Sequence, residues 1–278
     1  MRKVKKAKIT FFVIIMTLLL ICTFYDLEIS KALFNTSSHY GQFFEAIGEL
    51  PMTYIGCFSA AALVVTTKKR TNWSFYVGKI GFSSLMLLFS FFSVMMSGMH
   101  ISIPLWLKLV LTLVTCLFFY LLARAVPTSQ HMNLRKAAKV GLLLAISAIL
   151  LITILKMLWG RMRFREMTDP ANQFTRWYLP QSLTTNNEFM SFPSGHAANA
   201  TVVLWISLLP TFVKSLVGEK RLLEVTAIVW IVLVMISRIV MGAHFSTDVI
   251  VGMLISMMLF FFLKYKFMPQ NSENTMLL

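Results

Sequence analysis

Residues 222–266 read LLEVTAIVWIVLVMISRIVMGAHFSTDVIVGMLISMMLFFFLKYK, two long apolar runs joined by a short turn that holds His244, with Asp248 four residues on. A helix needs about 20 mostly apolar residues to cross a bilayer, and both runs, 222–242 and 246–266, meet that length. Working outward, six more such runs lie at 8–25, 50–67, 74–98, 102–125, 137–159 and 196–214. The second and sixth carry Ser, Thr or Asn, so their ends are the least sharply marked. The expected fold is all-α, a polytopic transmembrane helical bundle of about eight spans.

Composition leads to the same place. Of 278 residues, 57% are hydrophobic and 13% charged, with a mean hydropathy of +0.73. A soluble domain has no way to hide that much apolar surface. The net charge of +15 would suit a nucleic-acid partner if a basic soluble module were present. None lies between the apolar runs, so no nucleic-acid partner is expected. Cys22, Cys57 and Cys116 sit in apolar segments without the paired spacing of a metal site and read as small core residues. MRKVKKAK followed by ITFFVIIMTLLLICTFY ends in bulky residues rather than a small-x-small cleavage site, which predicts an uncleaved first helix. The whole of 1–278 is expected to be a single membrane domain, with a disordered tail at 268–278.

The basic residues sort by side. Arg2, Lys3, Lys5, Lys6 and Lys8 precede the first run; Lys68, Lys69 and Arg70 follow the second; Arg124, Arg135, Lys136 and Lys139 follow the fourth. Lys214, Lys220 and Arg221 follow the sixth, and Lys264 and Lys266 end the last. All fall at even-numbered breaks or at a terminus, which the positive-inside bias assigns to the cytoplasm together with both termini. The opposite, outer side carries Asp26, Glu28, Glu45 and Glu49. There, Tyr40, Phe43, Phe44, Ile47 and Leu50 recur at helical spacing and predict a short surface helix. The largest outer loop, 160–193, breaks the bias with Arg161, Arg163, Arg165 and Arg176. Binding an anion is a natural reason for cations there.

Three segments at that side carry chemistry. In KMLWGRMRF, Lys156, Gly160 and Arg163 share a face if the helix continues, glycine leaving room for approach; snorkelling from a helix end would look the same. In FPSGHAAN, Pro193, Ser194 and Gly195 open a helix beside His196, and helix N-terminal amides favour anions; a plain cap is the blander reading. In SRIVMGAHFSTD, Arg238 lies in an apolar run, where a charge is costly. His244 and Asp248, four apart, allow a carboxylate to hold the imidazole Nδ1–H and leave Nε2 as a nucleophile; a structural cap is again the alternative. Together these cations, amides, histidines and the carboxylate suit phosphoryl transfer. No carboxylate or Cys/His cluster suggests a metal, so neither metal nor cofactor is expected.

At these residues the sequence resembles the type 2 phosphatidic acid phosphatase (PAP2) superfamily, whose pattern is K-x6-R-P, then P-S-G-H, then S-R-x5-H-x3-D. Lys156 and Arg163 match the first block, Pro193 to His196 the second, and Ser237, Arg238, His244 and Asp248 the third; Phe164 stands where the family has proline. The resemblance implies a six-helix phosphatase core, 136–267, with about two additional helices within 1–135. It implies His244 as the phosphohistidine nucleophile, Asp248 as its orienter and His196 as general acid. Lys156, Arg163, Arg238, Ser194 and the Gly195 amide would bind phosphate. Arg161 and Arg165, on either side of Arg163, are placed to share its work. Arg165, Arg176, Trp177 and Tyr178 are placed as head-group contacts, a second phosphate drawing on Arg165 or Arg176.

The expected function is hydrolysis of a membrane lipid phosphate or diphosphate at the outer face of a bacterial plasma membrane. Substrates of the undecaprenyl diphosphate, phosphatidylglycerophosphate or phosphatidic acid type all fit. A lipid phosphotransferase would use the same residues with another acceptor. A transporter fits poorly, since there is no inverted repeat and no paired helix break at mid-membrane. The residues are silent on oligomeric state.

Overall fold

The computed structural model describes residues 2–67, 73–97 and 103–269, and among these it holds helices and no strand. Helix α1 spans Arg2–Leu33, α2 His39–Ile47, α3 Leu50–Thr66, α4 Trp73–Ser97 and α5 Leu105–Arg124. They are followed by α6 at His131–Trp159, the one-turn α7 at Pro170–Gln173, α8 at Gly195–Thr201, α9 at Lys220–Val240 and α10 at Ser246–Phe267. The expected tail from residue 270, and the Lys68, Lys69 and Arg70 group, lie outside the described residues.

Seven helical stretches among the described residues are long and apolar enough to cross a membrane. The eighth expected run, 196–214, differs. It forms the short α8 and then a 3-10 helix over Val202–Thr211, with Pro210 inside. Proline lacks the N–H that a continuing α-helix needs. At about 1.5 Å per α residue and about 2.0 Å per 3-10 residue, the contour of Gly195–Thr211 is about 30 Å. That is the thickness of the hydrocarbon core.

The chain folds as two compact units, each drawing on both halves of the sequence. One comprises Ala46–Ile149, Asn199–Ile231 and Ser256–Leu278. Its core is lined by small residues, with Ala60, Ala61 and Ala62 of α3 and Ala137, Ala138 and Ala145 of α6 fully buried. In a membrane, lipid tails are as apolar as leucine, so helices associate through close backbone approach at such positions. At Gly141 a Cβ would meet Ser59 and Trp205, and Trp205 Nε1 donates to the Ala137 carbonyl at 2.7 Å. An apolar cavity of about 280 Å³ opens beside them, lined by Tyr54, Phe58, Phe119 and Trp205 among others.

The other unit comprises Met1–Glu45, Leu150–Ala198 and Val232–Ile255, and it contains every motif residue identified above. The helix expected in the first outer loop is α2. Its Tyr40 hydroxyl donates to the Leu233 carbonyl of α9 at 2.5 Å, while Phe43 stays exposed. Helix α9 ends in a Schellman turn: Gly242 N donates to Ile239 O at 2.9 Å and Ala243 N to Arg238 O at 3.1 Å. Gly242 supplies the left-handed residue this turn needs, at φ +60°. The turn delivers His244 just before α10 begins. Asp248, in the first turn of α10, reaches back to the Phe245 N–H at 2.9 Å, closing the helix start as a capping box does.

Candidate active site

His244 lies almost wholly out of solvent, 2% exposed. Its Nδ1 is 2.6 Å from the Ser191 main-chain carbonyl. A carbonyl only accepts, so the proton sits on Nδ1, and Nε2 keeps its lone pair. Burial pushes the imidazole well below the usual 6.5, and the charges of Lys156, Arg163, Arg238 and His196 push it further the same way. A ring that resists protonation among cations keeps a neutral nitrogen in an anion-attracting field.

The expected hydrogen bond from His244 to Asp248 is absent in this geometry, since Nδ1 and the nearer carboxylate oxygen are 4.0 Å apart. Asp248 acts one step removed. It accepts from Ser191 Oγ at 2.6 Å and so fixes the residue whose carbonyl holds the imidazole. Its other oxygen takes Arg161 Nη1 at 2.5 Å.

Arg161 is the main surprise among the loop cations. Expected to share phosphate binding with Arg163, it is instead fully buried. Its guanidinium bonds Asp26 at 3.0 Å, the Thr175 carbonyl at 3.0 Å and Thr247 Oγ1 at 3.1 Å. It also lies over the Phe245 ring, 4.1 Å from the centroid. Asp26, late in α1, takes the Thr247 amide at 3.0 Å as well. Two carboxylates therefore share one arginine, and each is further satisfied by neutral donors, the condition a buried ion cluster needs to persist. Spacing gave no sign of this cluster; Asp26 falls just beyond the first apolar run and reads as one more outer-side acid.

The chain reversal at Gly160 separates the arginines. The helix does not continue through the first motif block, as the shared-face reading required. It ends at Trp159, and Gly160 turns left-handed at φ +64°, with the Ser182 backbone filling the space beside it. Lys156 stays on α6, close to Gly195, and its Nζ donates to the Met190 carbonyl at 2.7 Å. Arg163 follows in extended backbone, φ −76° and ψ 144°, the conformation a residue before proline adopts. With Phe164 after it, Arg163 thus takes the backbone that a proline at 164 would impose. The Phe164 ring is buried edge-on to Phe34, 5.2 Å between centroids. Arg163 Nη2 donates to the Asn187 side chain at 2.7 Å, and its Nε is a buried donor with no partner among the described residues.

Ser194 caps α8 through its hydroxyl, 3.3 Å from Ala197 N, and spends its own amide on the Asp248 carbonyl at 3.0 Å. The expected set of open amides at this helix start is thus reduced on the Ser194 side. Close approach explains Gly252, where a Cβ would run into the Ser194 carbonyl. His196 is half-buried, with Nε2 3.4 Å from the Glu45 carbonyl. Arg238, 1% exposed, donates to Glu45 Oε1 at 2.9 Å. Glu45, carried by α2, was not among the expected site residues.

The outlying residues divide. Arg165 bonds Glu166 at 3.1 Å and lies 4.0 Å from Glu45, next to the cation cluster. Arg176 donates to the Thr23 carbonyl at 3.2 Å, and Trp177 Nε1 to the Thr23 hydroxyl at 2.9 Å. Both are thereby tied to α1 rather than to the cations. Tyr178 is exposed at the edge of Trp177.

Fold and site together define a polytopic membrane protein with a buried histidine set among cations on three separate segments. A family model described as the PAP2 superfamily matches residues 136–272, and through that region the chain is similar to this superfamily. Phosphatidylglycerophosphatase B of Bacillus subtilis (strain 168) is 41% identical over 76 residues, which is 27% of this chain and 37% of that protein. The aligned stretch thus spans little more than a third of that relative. A crystal structure of a transmembrane PAP2-type phosphatidylglycerolphosphate phosphatase from Bacillus subtilis aligns over 88% of this chain and 94% of that one. It does so at 21% identity with a TM-score of 0.37.

Proposed function

We propose that this protein is a lipid phosphate phosphatase that works through a phosphohistidine on His244. The observation that carries this is the state of that imidazole: Nδ1–H is committed to the Ser191 carbonyl, and Nε2 is neutral among Lys156, Arg163, Arg238 and His196. In the first step Nε2 attacks phosphorus, a P–N bond forms, and the P–O bond to the lipid breaks. Protonated His196 gives its proton to the leaving oxygen. In the second step water attacks phosphorus, the P–N bond breaks, and His196 takes the water proton as inorganic phosphate leaves. Lys156, Arg163 and Arg238 balance charge on the non-bridging oxygens throughout.

The acidic and histidine side chains of the site are engaged with arginine or with main chain, so the reaction is assigned to side chains alone. Phosphate release by purified protein in detergent with EDTA tests this, and undiminished release is the expected result. Complete loss in EDTA would overturn the reading. The distribution of basic residues favours a site on the outer face with both termini in the cytoplasm, in a bacterial plasma membrane. Labelling of an Asn186→Cys variant by an impermeant reagent on intact cells tests that side.

A further inference from the structure

The arginines of the site sort by what they already face. Arg238 points a guanidinium nitrogen at the Glu45 carboxylate, 2.9 Å away. Arg165 is held by Glu166 at 3.1 Å and lies 4.0 Å from the same Glu45 oxygen. Arg176, another cation a second phosphate would need, is turned to the Thr23 carbonyl of α1. Arg163 differs in its partner, a neutral amide oxygen at Asn187 rather than a carboxylate; its Nε is a buried donor with no partner among the described residues. One phosphoryl group beside His244 has a donor waiting for it. A second would meet arginines already matched by carboxylates, with Glu45 itself, 29% exposed, as a like charge within reach.

We infer that Glu45 is a specificity-determining residue that restricts the site to phosphate monoesters and disfavours lipid diphosphates. This rests on the phosphatase reading above and deepens it. Two fixed negative charges a few ångströms apart repel strongly where solvent is partly excluded, and repulsive elements are a common source of discrimination. Glu45 also fixes the direction of Arg238, so the monoester meets an arginine already aimed. The surface helix α2 thereby supplies selectivity from outside the motif blocks.

The test compares farnesyl phosphate with farnesyl diphosphate, which share a tail and differ by one phosphoryl group. Initial phosphate release is followed for full-length protein in detergent, with His244→Ala as control. The wild type is expected to favour the monophosphate in kcat/KM. Glu45→Gln is expected to move the ratio towards the diphosphate by about tenfold or more, chiefly through KM. Glu45→Asp, which keeps the charge, should hold the wild-type order. A wild-type preference for diphosphate, or an unchanged ratio in Glu45→Gln, overturns the inference while leaving the phosphatase reading intact. Absence of release from either substrate, or release that survives in His244→Ala, overturns the phosphatase reading instead. Should Glu45→Gln fail to fold, competition on the wild type decides. Inorganic phosphate must then inhibit more tightly than pyrophosphate, and the reverse order overturns the inference.

Discussion

Two arginines two residues apart, Arg161 and Arg163, show how differently one loop can use the same side chain. Arg161 is sealed between Asp26 and Asp248 with aromatic rings over its plane, and nearly every donor is satisfied. Arg163 is half-buried, bonded to a single side chain, and keeps an open donor. A guanidinium that is fully satisfied belongs to the frame. One left short of partners is available to a ligand, because an unpaired buried donor costs about 1–3 kcal/mol.

The largest effect that bears on this contrast is at the histidine both arginines serve. His244→Ala is expected to lower phosphate release by at least about 10⁴-fold, with the protein still folded by thermal unfolding in detergent. Next come the two arginines themselves, predicted to fail in different assays. Arg163→Ala should reduce kcat/KM by about 10²–10³-fold while Tm barely moves. Arg161→Ala leaves two buried carboxylates without their cation and should cost about 3–5 kcal/mol of stability, seen as a large fall in Tm. If Arg161→Ala keeps its Tm and loses only activity, the division between frame and ligand-facing arginine collapses. Arg165→Ala should be milder than Arg163→Ala on a monophosphate; the opposite order would shift the first motif block by two residues.

A smaller effect concerns pH. In the proposed mechanism His244 reacts in its neutral form, and its affinity for protons is lowered in the folded protein. Activity should therefore persist below pH 6.5, falling only as pH drops through the lowered value. Burial is the principal cause, with Lys156 the first of the charged contributors. Lys156→Met should accordingly move the acid limb of kcat/KM upward, towards 6.5, besides weakening phosphate binding. A downward move would contradict the assigned neighbourhood. Smallest is Gly242→Ala, where the left-handed backbone costs about 1–2 kcal/mol and the new methyl meets the Phe34 ring.

Much of this was legible in the sequence, for reasons that differ by residue. Helices were readable because apolar runs of spanning length admit few other structures in lipid. The segment 196–214 was readable as apolar but not as partly 3-10, since hydropathy carries no information on helix pitch. That Lys156, His196 and Arg238 gather near His244 was readable because each lies in a short motif that topology puts at the same side. Asp26 and Glu45 were not singled out as site residues. Their partners, Arg161 and Arg238, lie 135 and 193 positions away, and no local periodicity marks such pairs. Which of Arg161, Arg163 and Arg165 turns inward depends on the reversal at Gly160, and three alternating arginines look equivalent until that reversal is known.

The link between Asp26 and Arg161 also bears on how the protein is built. Helix α1 is synthesised before the 160–193 loop, and its carboxylate must wait through 135 further residues before its guanidinium partner is made. Until then the nascent membrane segment carries an acid with nothing to neutralise it. Biogenesis thus runs through an interval in which the first helix is the least content part of the chain, and it is secured only when the catalytic loop arrives. A generic hydrophobic anchor grafted in place of α1 would insert more readily, yet leave Arg161 with Asp248 as its one remaining carboxylate and the Thr247 amide without its acceptor.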